Sequence, residues 1–367
     1  MNTKNIEHTI KHFGRSFFKI LLISILRKKK DKVYIAVCLD GGLGDNIREK
    51  AVLNELVKME QNIVIDMYCW KRKSYKVFRD IKNIRFFLMP RALKFTHKQY
   101  DIIYKLSMYE SEIKRLESGK ALTARILKNL DNYKSQYPNG YPHIINTLKM
   151  TAGVDNVERF ALNTPYQERD LRKFGILKDT KYITFQYGFG SRGQNDSAKC
   201  WDFVQWQNLL SILKSRLNKD IKIVQVGLSR QTFKNADINT ARRTNFDELC
   251  SIIKGSMLHI DIDSACSHIA KALNIKSLII FGPTDSQYSG YKENINITSS
   301  SCKGCWKGVQ YNYDSCPKGY EKPRCMDEIS PELVANKALE FLSPLHCFNH
   351  RYLIALKCQK EYNPAIF

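Results

Sequence analysis

Near the start of the chain, a β-branched apolar run passes directly into a glycine-rich turn, in the segment Val33-Tyr34-Ile35-Ala36-Val37-Cys38-Leu39-Asp40-Gly41-Gly42-Leu43-Gly44-Asp45-Asn46. The pattern predicts a parallel strand over 33–39, a turn of phosphate size, and then a helix. Glycine allows close approach of a ligand to the backbone, and the N-terminus of a helix favours negative charge. A carboxylate there would repel a phosphate. Asp45 is therefore either a cap of the helix or a group with a chemical role.

Strands and helices alternate through both halves of the chain. In the first half, we predict further strands at 62–68, 84–88 and 101–106, and a polar helix at 109–130. In the second half, we predict strands at 182–187, 221–226, 258–262 and 277–281, with helices at 203–217, 246–253 and 268–273. This order predicts an α/β protein with two doubly wound domains that face a cleft, with ligands at the carboxyl ends of the strands.

The length and composition agree with two globular domains. The chain has 367 residues, of which 43% are hydrophobic, and this excludes a disordered protein. The alternation is interrupted near 163–175, where Asn-Thr-Pro precedes a short charged helix. We therefore divide the chain into a basic amphipathic N-terminal extension (1–30), a first Rossmann-like domain (31–165), a second Rossmann-like domain (166–345) and a C-terminal tail (346–367).

Positive charge dominates the chain. Lysine and arginine number 59 against 36 aspartates and glutamates, so the formal net charge is +23. Such an excess predicts an anionic partner, which can be nucleic acid, a membrane surface or a phosphorylated substrate. The stretch 71–98 is especially basic, and its loop with Arg91 and Lys94 follows a predicted strand. This loop is either a solvated surface or a binding site for phosphate or carboxylate groups.

The N-terminal extension contains an apolar segment, 16–26, followed by four basic residues at 27–30. The segment is too short to span a bilayer. It also lacks the residue order and the cleavage site of a signal peptide, so we do not expect secretion. A basic, aromatic helix of this kind either lies in the interface of an anionic membrane or packs on the first domain.

Small and polar residues mark three turns in the second half. Lys199 lies in a polar loop before a helix, from which a lysine can reach a phosphate. The segment 263–268 follows a strand and opens a helix, so its backbone N–H groups and hydroxyls can bind a diphosphate. The turn with Gly282 and Thr284 closes the next strand. The structural alternatives are a surface lysine and, for His268, a core histidine.

Several separate motifs occur in a recognisable order: Gly-Gly-Leu-Gly-Asp-Asn near the start, Lys-Cys-Trp in the middle, then Asp-Ser-Ala-Cys-Ser-His-Ile-Ala-Lys-Ala-Leu-Asn-Ile-Lys-Ser-Leu-Ile-Ile-Phe-Gly-Pro-Thr, and finally four cysteines. With these motifs the chain resembles glycosyltransferase family nine, the lipopolysaccharide heptosyltransferases and their relatives, over about residues 33–340. The resemblance implies the GT-B fold. It also implies inverting transfer of a sugar from a nucleotide-activated donor, commonly ADP-heptose, to a lipopolysaccharide or lipooligosaccharide core or a related surface glycan.

The resemblance implies a role for residues of the first domain on the acceptor side. Asp45 matches the catalytic aspartate of the family, which acts as a base. The turn with Gly42 and Gly44 would then face the acceptor. Arg91 and Lys94 fall, by position only, in the basic acceptor-side loop of the family, where they would hold anionic groups of a lipid-linked glycan. An inverting transfer needs one such base within hydrogen-bond reach of the acceptor hydroxyl.

The resemblance implies a donor-binding role for residues of the second domain. Lys199 matches the lysine that binds the donor phosphates. The donor loop, the histidine after it and the following turn correspond to Asp263, Ser264, Ala265, His268, Gly282 and Thr284. Helix N-termini and these cations would stabilise the leaving diphosphate without a metal ion or any other cofactor. The acidic residue with which the family contacts the ribose has no counterpart in 228–231, so the nucleotide and the sugar stay open.

The expected partners follow from this interpretation. They are a nucleotide-sugar donor, an anionic lipid-linked glycan acceptor and the cytoplasmic surface of the inner membrane. We expect a cytoplasmic protein that is peripheral on that membrane and does not bind nucleic acid.

Eleven cysteines, several of them within apolar runs, favour a reducing compartment. Four of them are close in sequence: Cys302, Cys305, Cys316 and Cys325. The first pair has the spacing of a structural four-thiolate zinc site, whereas eight residues separate the second pair. The family resemblance favours a reduced structural loop.

Two other classes of protein remain as alternatives. A dinucleotide-binding oxidoreductase is indicated by Gly42-x-Gly44 after a strand and by Asp66 further on, although Ile47 occupies the third glycine position. A basic nucleic-acid-binding protein with a zinc knuckle is indicated by the net charge. Against this alternative, the sequence does not show the aromatic platforms on which such proteins stack bases.

Overall fold

The computed structural model describes residues 18–25, 29–39, 41–69, 75–107, 112–117, 119–136, 143–155, 160–163, 168–188, 197–306 and 315–343. The chain divides into one unit within 1–163 and a second within 164–367. The predicted tail at 346–367, the start of the N-terminal extension and part of its basic cluster lie outside the described residues.

The first unit is built on a five-stranded sheet with the order β3-β2-β1-β4-β5. The strands are β1 (Val33–Leu39), β2 (Ile63–Cys69), β3 (Ile84–Leu88), β4 (Ile102–Leu106) and β5 (Glu112–Leu116). The first four are parallel, and β5 pairs antiparallel with β4. The β-branched residues of β1 lie at the centre of the sheet, where they are fully buried. The turn after β1 is therefore at the carboxyl edge of the central strand.

Six helices accompany this sheet in the described residues. They are α1 (18–25), α2 (Leu43–Met59), α3 (Tyr75–Phe78), α4 (Leu93–Thr96), α5 (Ala121–Gln136) and α6 (Ile144–Ala152). A short 3-10 turn, Pro90–Ala92, leads into α4. Helix α1 belongs to the predicted N-terminal extension, and its Ile20 and Ile23 pack into an apolar cluster of the first unit.

The polar helix predicted over 109–130 is confirmed from Ala121 onward and is wrong before it. Its first part is β5, whose backbone pairs with β4, and α5 begins only at Ala121. Gly119, with a φ of +91°, separates the two elements in a conformation that residues with a side chain rarely adopt. The error arises because pairing with a distant strand decides the conformation of a polar segment that has no apolar periodicity of its own.

The second unit is built on a six-stranded parallel sheet with the order β11-β10-β9-β6-β7-β8. Its strands are β6 (Lys181–Gln186), β7 (Ile221–Val226), β8 (Ile238–Asn239), β9 (His259–Ile262), β10 (Ser277–Phe281) and β11 (Ile295–Thr298). Its helices are α7 (Phe203–Arg216), α8 (Phe246–Lys254), α9 (Ala265–Ala272), α10 (Ser286–Ser289), α11 (Arg324–Asp327) and α12 (Pro331–Leu342). Both units thus have the doubly wound α/β architecture that the sequence predicts.

Candidate functional site

The carboxylate of Asp45 folds back over the turn that follows β1. Its Oδ2 accepts a hydrogen bond of 2.6 Å from the backbone N–H of Gly42, so Asp45 caps α2. A Cβ on Gly41 would lie 2.3 Å from the Cβ of Asp45, which explains why a glycine precedes the cap. Because a carboxylate offers about four acceptor positions, a capping bond does not prevent it from accepting a proton. Capping and base chemistry are compatible at this position.

Helix α2 buries the polar residues that follow Asp45. Asn46 donates to Glu49 at 2.9 Å, and Lys50 forms an ion pair of 2.7 Å with Asp80. Burial lowers the pKa of Lys50, and the bond to Asp80 opposes this shift. The sequence did not predict these buried groups, since a charged helical segment is normally interpreted as a solvated face. Of these two contacts, the Lys50–Asp80 ion pair joins α2 to the segment that follows α3.

Arg91 and Lys94 lie apart from the glycine turn. Both side chains are exposed, on the 3-10 turn and on α4. These elements follow β3, which is an edge strand separated from β1 by β2. The structure therefore leaves the two cations accessible to a large anionic ligand without placing them next to Asp45 in the sheet order.

Asp66 does not fit the role that an oxidoreductase would require. In dinucleotide-binding proteins the acidic residue reaches the ribose of the ligand. Here Asp66 is fully buried within β2, where it forms an ion pair with Arg85 at 2.5 Å and accepts a hydrogen bond from Tyr100 at 2.8 Å. Its carboxylate is engaged inside the first unit.

Three of the predicted donor-site residues meet where α9 begins. The Lys199 ammonium donates to the backbone carbonyl of Asp263 at 2.7 Å and lies 3.6 Å from its carboxylate. His268 Nε2 lies 3.6 Å from the other carboxylate oxygen of Asp263, and His268 Nδ1 lies 2.9 Å from the hydroxyl of Tyr291. All three residues are buried. A lysine and a histidine on either side of one carboxylate form a site that can exchange that carboxylate for an anionic ligand.

Helix α9 begins three residues earlier than predicted, because Ser264 caps it. The Ser264 hydroxyl accepts from the backbone N–H of Cys266 at 3.1 Å, and Ala265 is the first helical residue. The unpaired N–H groups of a first helical turn, together with the helix dipole, favour an anion. Lys199 and His268 thus lie beside the N-terminus of α9.

A buried polar chain stands behind the Ser264 cap. Asp261 accepts a hydrogen bond of 2.5 Å from the Ser264 hydroxyl and lies 3.2 Å from His259 Nε2. His259 Nδ1 lies 2.9 Å from the hydroxyl of Thr184 on β6. Burial raises the pKa of Asp261, while the hydrogen bonds from His259 and Ser264 oppose the rise. The sequence does contain a sign of this chain. His259 and Asp261 are polar residues two positions apart in the apolar strand β9, so their side chains lie on the same face of the sheet.

Replacing Asp261 with alanine should lower the free energy of unfolding by about 3–5 kcal/mol, because it leaves buried partners uncompensated. Equilibrium unfolding in urea measures the change. The matched control is Asp220→Ala, an exposed aspartate in the same unit, for which we expect less than about 0.5 kcal/mol. Equal effects of the two substitutions would contradict the role of Asp261 in holding Ser264.

Gly282 has a packing role in this structure. A Cβ at this position would lie 2.3 Å from Met326 Sδ and 3.2 Å from Cys325 Sγ, so a larger residue would require the side chains of α11 to move. The Gly282 carbonyl accepts from the N–H of Gly304 at 3.0 Å. Thr284 follows in the same turn and is half-buried. A donor-binding role of this turn stays a prediction.

The four cysteines of the 302–325 segment are free thiols. Burial, and then the neighbouring thiols of Cys302, Cys305 and Cys316, raise the pKa of the Cys325 thiol to about 12. In the described part of the chain, no group of three or more His, Cys, Asp or Glu side chains is placed to hold a metal ion. The zinc site and the reduced structural loop both stay predictions for these four cysteines.

None of the helices within the described ranges combines the length and the hydrophobicity that crossing a bilayer requires.

The fold matches solved glycosyltransferases. One is the iron-containing dodecameric glycosyltransferase TibC from enterotoxigenic Escherichia coli H10407, with a TM-score of 0.62, 13% identity, and coverage of 85% of this chain and 79% of that chain. A structure of TibC in complex with ADP-D-β-D-heptose matches with a TM-score of 0.61 and 15% identity, over 86% of this chain and 78% of that chain. The E. coli ADP-heptose lipopolysaccharide heptosyltransferase II matches with a TM-score of 0.59 and 14% identity, over 84% of this chain and 98% of that chain. These likenesses define the fold as GT-B, as predicted.

Sequence comparison places the chain more narrowly within this class. The lipooligosaccharide heptosyltransferase 2 of Campylobacter jejuni subsp. jejuni serotype O:2 is 25% identical over 312 residues, which are 74% of this chain and 93% of that protein. A family model for glycosyltransferase family 9 (heptosyltransferase) matches residues 129–313, about half of the chain. The chain belongs to glycosyltransferase family 9. The resemblance stated from the motifs is confirmed, and a glycosyltransferase is favoured over the oxidoreductase and nucleic-acid-binding alternatives.

Proposed function

We propose that this protein is an inverting glycosyltransferase that transfers heptose from ADP-heptose to a lipopolysaccharide or lipooligosaccharide core, or to a related surface glycan. The observation that carries the proposal is the meeting of Lys199, Asp263 and His268 at the start of α9 in a chain of this family. The ADP-D-β-D-heptose complex of TibC and the name of the C. jejuni relative support heptose as the sugar and the core as the acceptor.

The second Rossmann-like domain, 166–345, is assigned the donor. In the proposed reaction, the diphosphate binds at the N-terminus of α9, where the helix dipole and the Lys199 ammonium attract it and the backbone N–H of Ala265 donates to it. Negative charge develops on the diphosphate as its bond to the anomeric carbon breaks, and fixed donors at this position stabilise that charge. Asp263 holds Lys199 and His268 ready before the donor binds. This arrangement needs no metal ion and no other cofactor.

The first Rossmann-like domain, 31–165, is assigned the acceptor. The acceptor hydroxyl attacks the anomeric carbon from the face opposite the diphosphate, so the configuration inverts, and Asp45 takes the hydroxyl proton. A general base placed in this way contributes roughly 10²- to 10⁴-fold to the rate. Gly42 and Gly44 keep the turn open beside the carboxylate, since neither carries a side chain.

The acceptor is assigned as an anionic, lipid-linked glycan. Exposed Arg91 and Lys94, on a segment without acidic residues from 81 to 100, support this assignment through charge complementarity. A lipid-linked acceptor confines the reaction to a membrane surface. We therefore propose a cytoplasmic protein that is peripheral on the inner membrane and does not act on nucleic acid.

The function is tested by offering the pure protein a panel of ADP-heptose, UDP-sugars and NAD. Isothermal titration calorimetry reports binding, and mass spectrometry reports transfer to delipidated core oligosaccharide. We expect binding and transfer with ADP-heptose and neither with the UDP-sugars. Tight binding of NAD without affinity for any sugar nucleotide would overturn the proposal. Transfer from a UDP-sugar alone would overturn the choice of donor.

A further inference from the structure

Helix α1 carries apolar side chains on two opposite faces. Ile20 and Ile23 pack into the apolar cluster of the first unit. Phe18, Leu21 and Ile25 are 59%, 45% and 65% exposed. At 3.6 residues per turn, these three lie within an arc of about 60° on the face away from Ile20 and Ile23. A helix that only packed on the first unit would have a polar outer face.

A second element extends this exposed apolar surface. Ala92 and Leu93 belong to the same apolar cluster as Ile23, so their segment adjoins α1. In that segment Phe95 is 72% exposed and Met89 is 39% exposed. Phe18, Leu21, Ile25, Met89 and Phe95 form what we call the apolar patch. In the described part of the first unit, they are five of seven exposed large hydrophobic side chains. Such clustering marks an interaction site, whereas single exposed hydrophobic residues need no explanation.

The position of α1 is fixed by contacts other than Ile20 and Ile23. Lys19 Nζ donates to the backbone carbonyl of Phe87 at 3.1 Å and lies 5.9 Å from the centroid of the Phe86 ring. Both contacts are to β3, the strand that precedes the segment of Met89 and Phe95. The outer face of α1 is therefore a preformed surface of the first unit.

Basic residues surround the apolar patch. The chain has no aspartate or glutamate from 8 to 30 or from 81 to 100. The exposed cations in these ranges include Lys29, Lys30, Arg91, Lys94 and Lys98. Clustered lysine and arginine beside exposed aromatic and aliphatic residues is the composition of a surface that lies in the interface of an anionic bilayer.

We propose that the apolar patch and its basic rim dock this protein on an anionic phospholipid bilayer, with Phe18, Ile25 and Phe95 inserted at the boundary of headgroups and acyl chains. The inference rests on the proposed function, because an enzyme with a lipid-linked acceptor has to work at the membrane surface. A second copy fits this surface less well, because a symmetric contact through the patch would set the two basic rims against each other. Nucleic acid would leave the aliphatic Leu21 and Ile25 without a partner.

The experiment is co-sedimentation of the full chain with vesicles of phosphatidylcholine mixed with phosphatidylglycerol, and of phosphatidylcholine alone. The test variant is Phe18→Ser combined with Phe95→Ser. The matched control is Leu177→Ser combined with Val204→Ser, two residues of the second unit that are 62% and 59% exposed. We expect the wild type and the control to bind the anionic vesicles. The test variant should bind at least about tenfold more weakly, because each phenylalanine loses the transfer of its ring out of water.

The outcomes separate this inference from the proposed function. ADP-heptose affinity, measured by calorimetry, should be the same in the wild type and the test variant, since the patch lies in the unit that is not assigned the donor. Unchanged vesicle binding of the test variant would overturn the docking surface whatever the donor measurement shows. Equal binding to both kinds of vesicle would overturn the role of the basic rim. A wild-type dimer that the double substitution makes monomeric would assign the patch to a contact between copies instead.

Discussion

Asp45→Asn should abolish transfer while the protein still folds and still binds the donor. Asparagine keeps the shape of aspartate, and its side-chain oxygen can accept the same hydrogen bond from Gly42 N–H. It cannot accept a proton from the acceptor hydroxyl under reaction conditions. If Asp45 is the base, kcat should fall by about 10²- to 10⁴-fold. The measurement is the initial rate of heptose transfer at saturating donor, with donor affinity taken from calorimetry.

This substitution separates the two roles of Asp45, since only the charge and basicity change. Urea unfolding should show a loss of less than about 1 kcal/mol, because the cap survives. Asp202→Asn provides a matched control. Asp202 is an exposed capping aspartate whose Oδ1 accepts from Val204 N–H at 2.7 Å at the start of α7, and we expect it to leave transfer unchanged. Wild-type rates with Asp45→Asn would show that the carboxylate is only a cap.

The features that the sequence predicted well are those with local causes. The turn after β1 needs only a β-branched run followed by glycines, and β1 has the predicted bounds, Val33–Leu39. The resemblance implied that Lys199 and Asp263 both bind the donor, but the contact between these two residues was not predicted. Its geometry, with the lysine on both the carbonyl and the carboxylate of Asp263, depends on a loop and a strand 64 residues apart.

The features that were missed depend on packing between distant segments. The charged residues of α2 look solvated in the sequence, yet Arg48, Glu49 and Lys50 are buried, since α2 lies against α3 and α6. The chain from Thr184 through His259 to Asp261 joins two neighbouring strands. Taken one at a time, these three residues show no pattern in the sequence. They come together only because β9 and β6 are neighbours in the sheet. Burial of a polar group is decided by the partner that satisfies it, and no local pattern supplies that partner.

Lys199→Met should weaken binding of ADP-heptose and of ADP by roughly tenfold to a hundredfold. A hydrogen bond to a charged group contributes about 1.5–3 kcal/mol, and each 1.4 kcal/mol is a factor of ten in affinity. Calorimetric titration with each ligand measures the change. Lys271→Met is the control, because Lys271 lies in the last turn of the same helix, α9, and is held by an ion pair of 2.9 Å with Glu293. We expect it to leave donor affinity unchanged.

Lys199 is buried against Asp263, so its removal could also disturb the fold of the site. Comparing ADP with adenosine distinguishes the two effects, since adenosine has no phosphate for an ammonium to contact. If Lys199 binds the diphosphate, Lys199→Met weakens ADP and leaves adenosine binding at its wild-type value. If the lysine only supports Asp263 and α9, both ligands lose affinity to the same extent. Together with the retained donor binding of Asp45→Asn, a selective loss for ADP would assign the diphosphate to the second unit and proton transfer to the first.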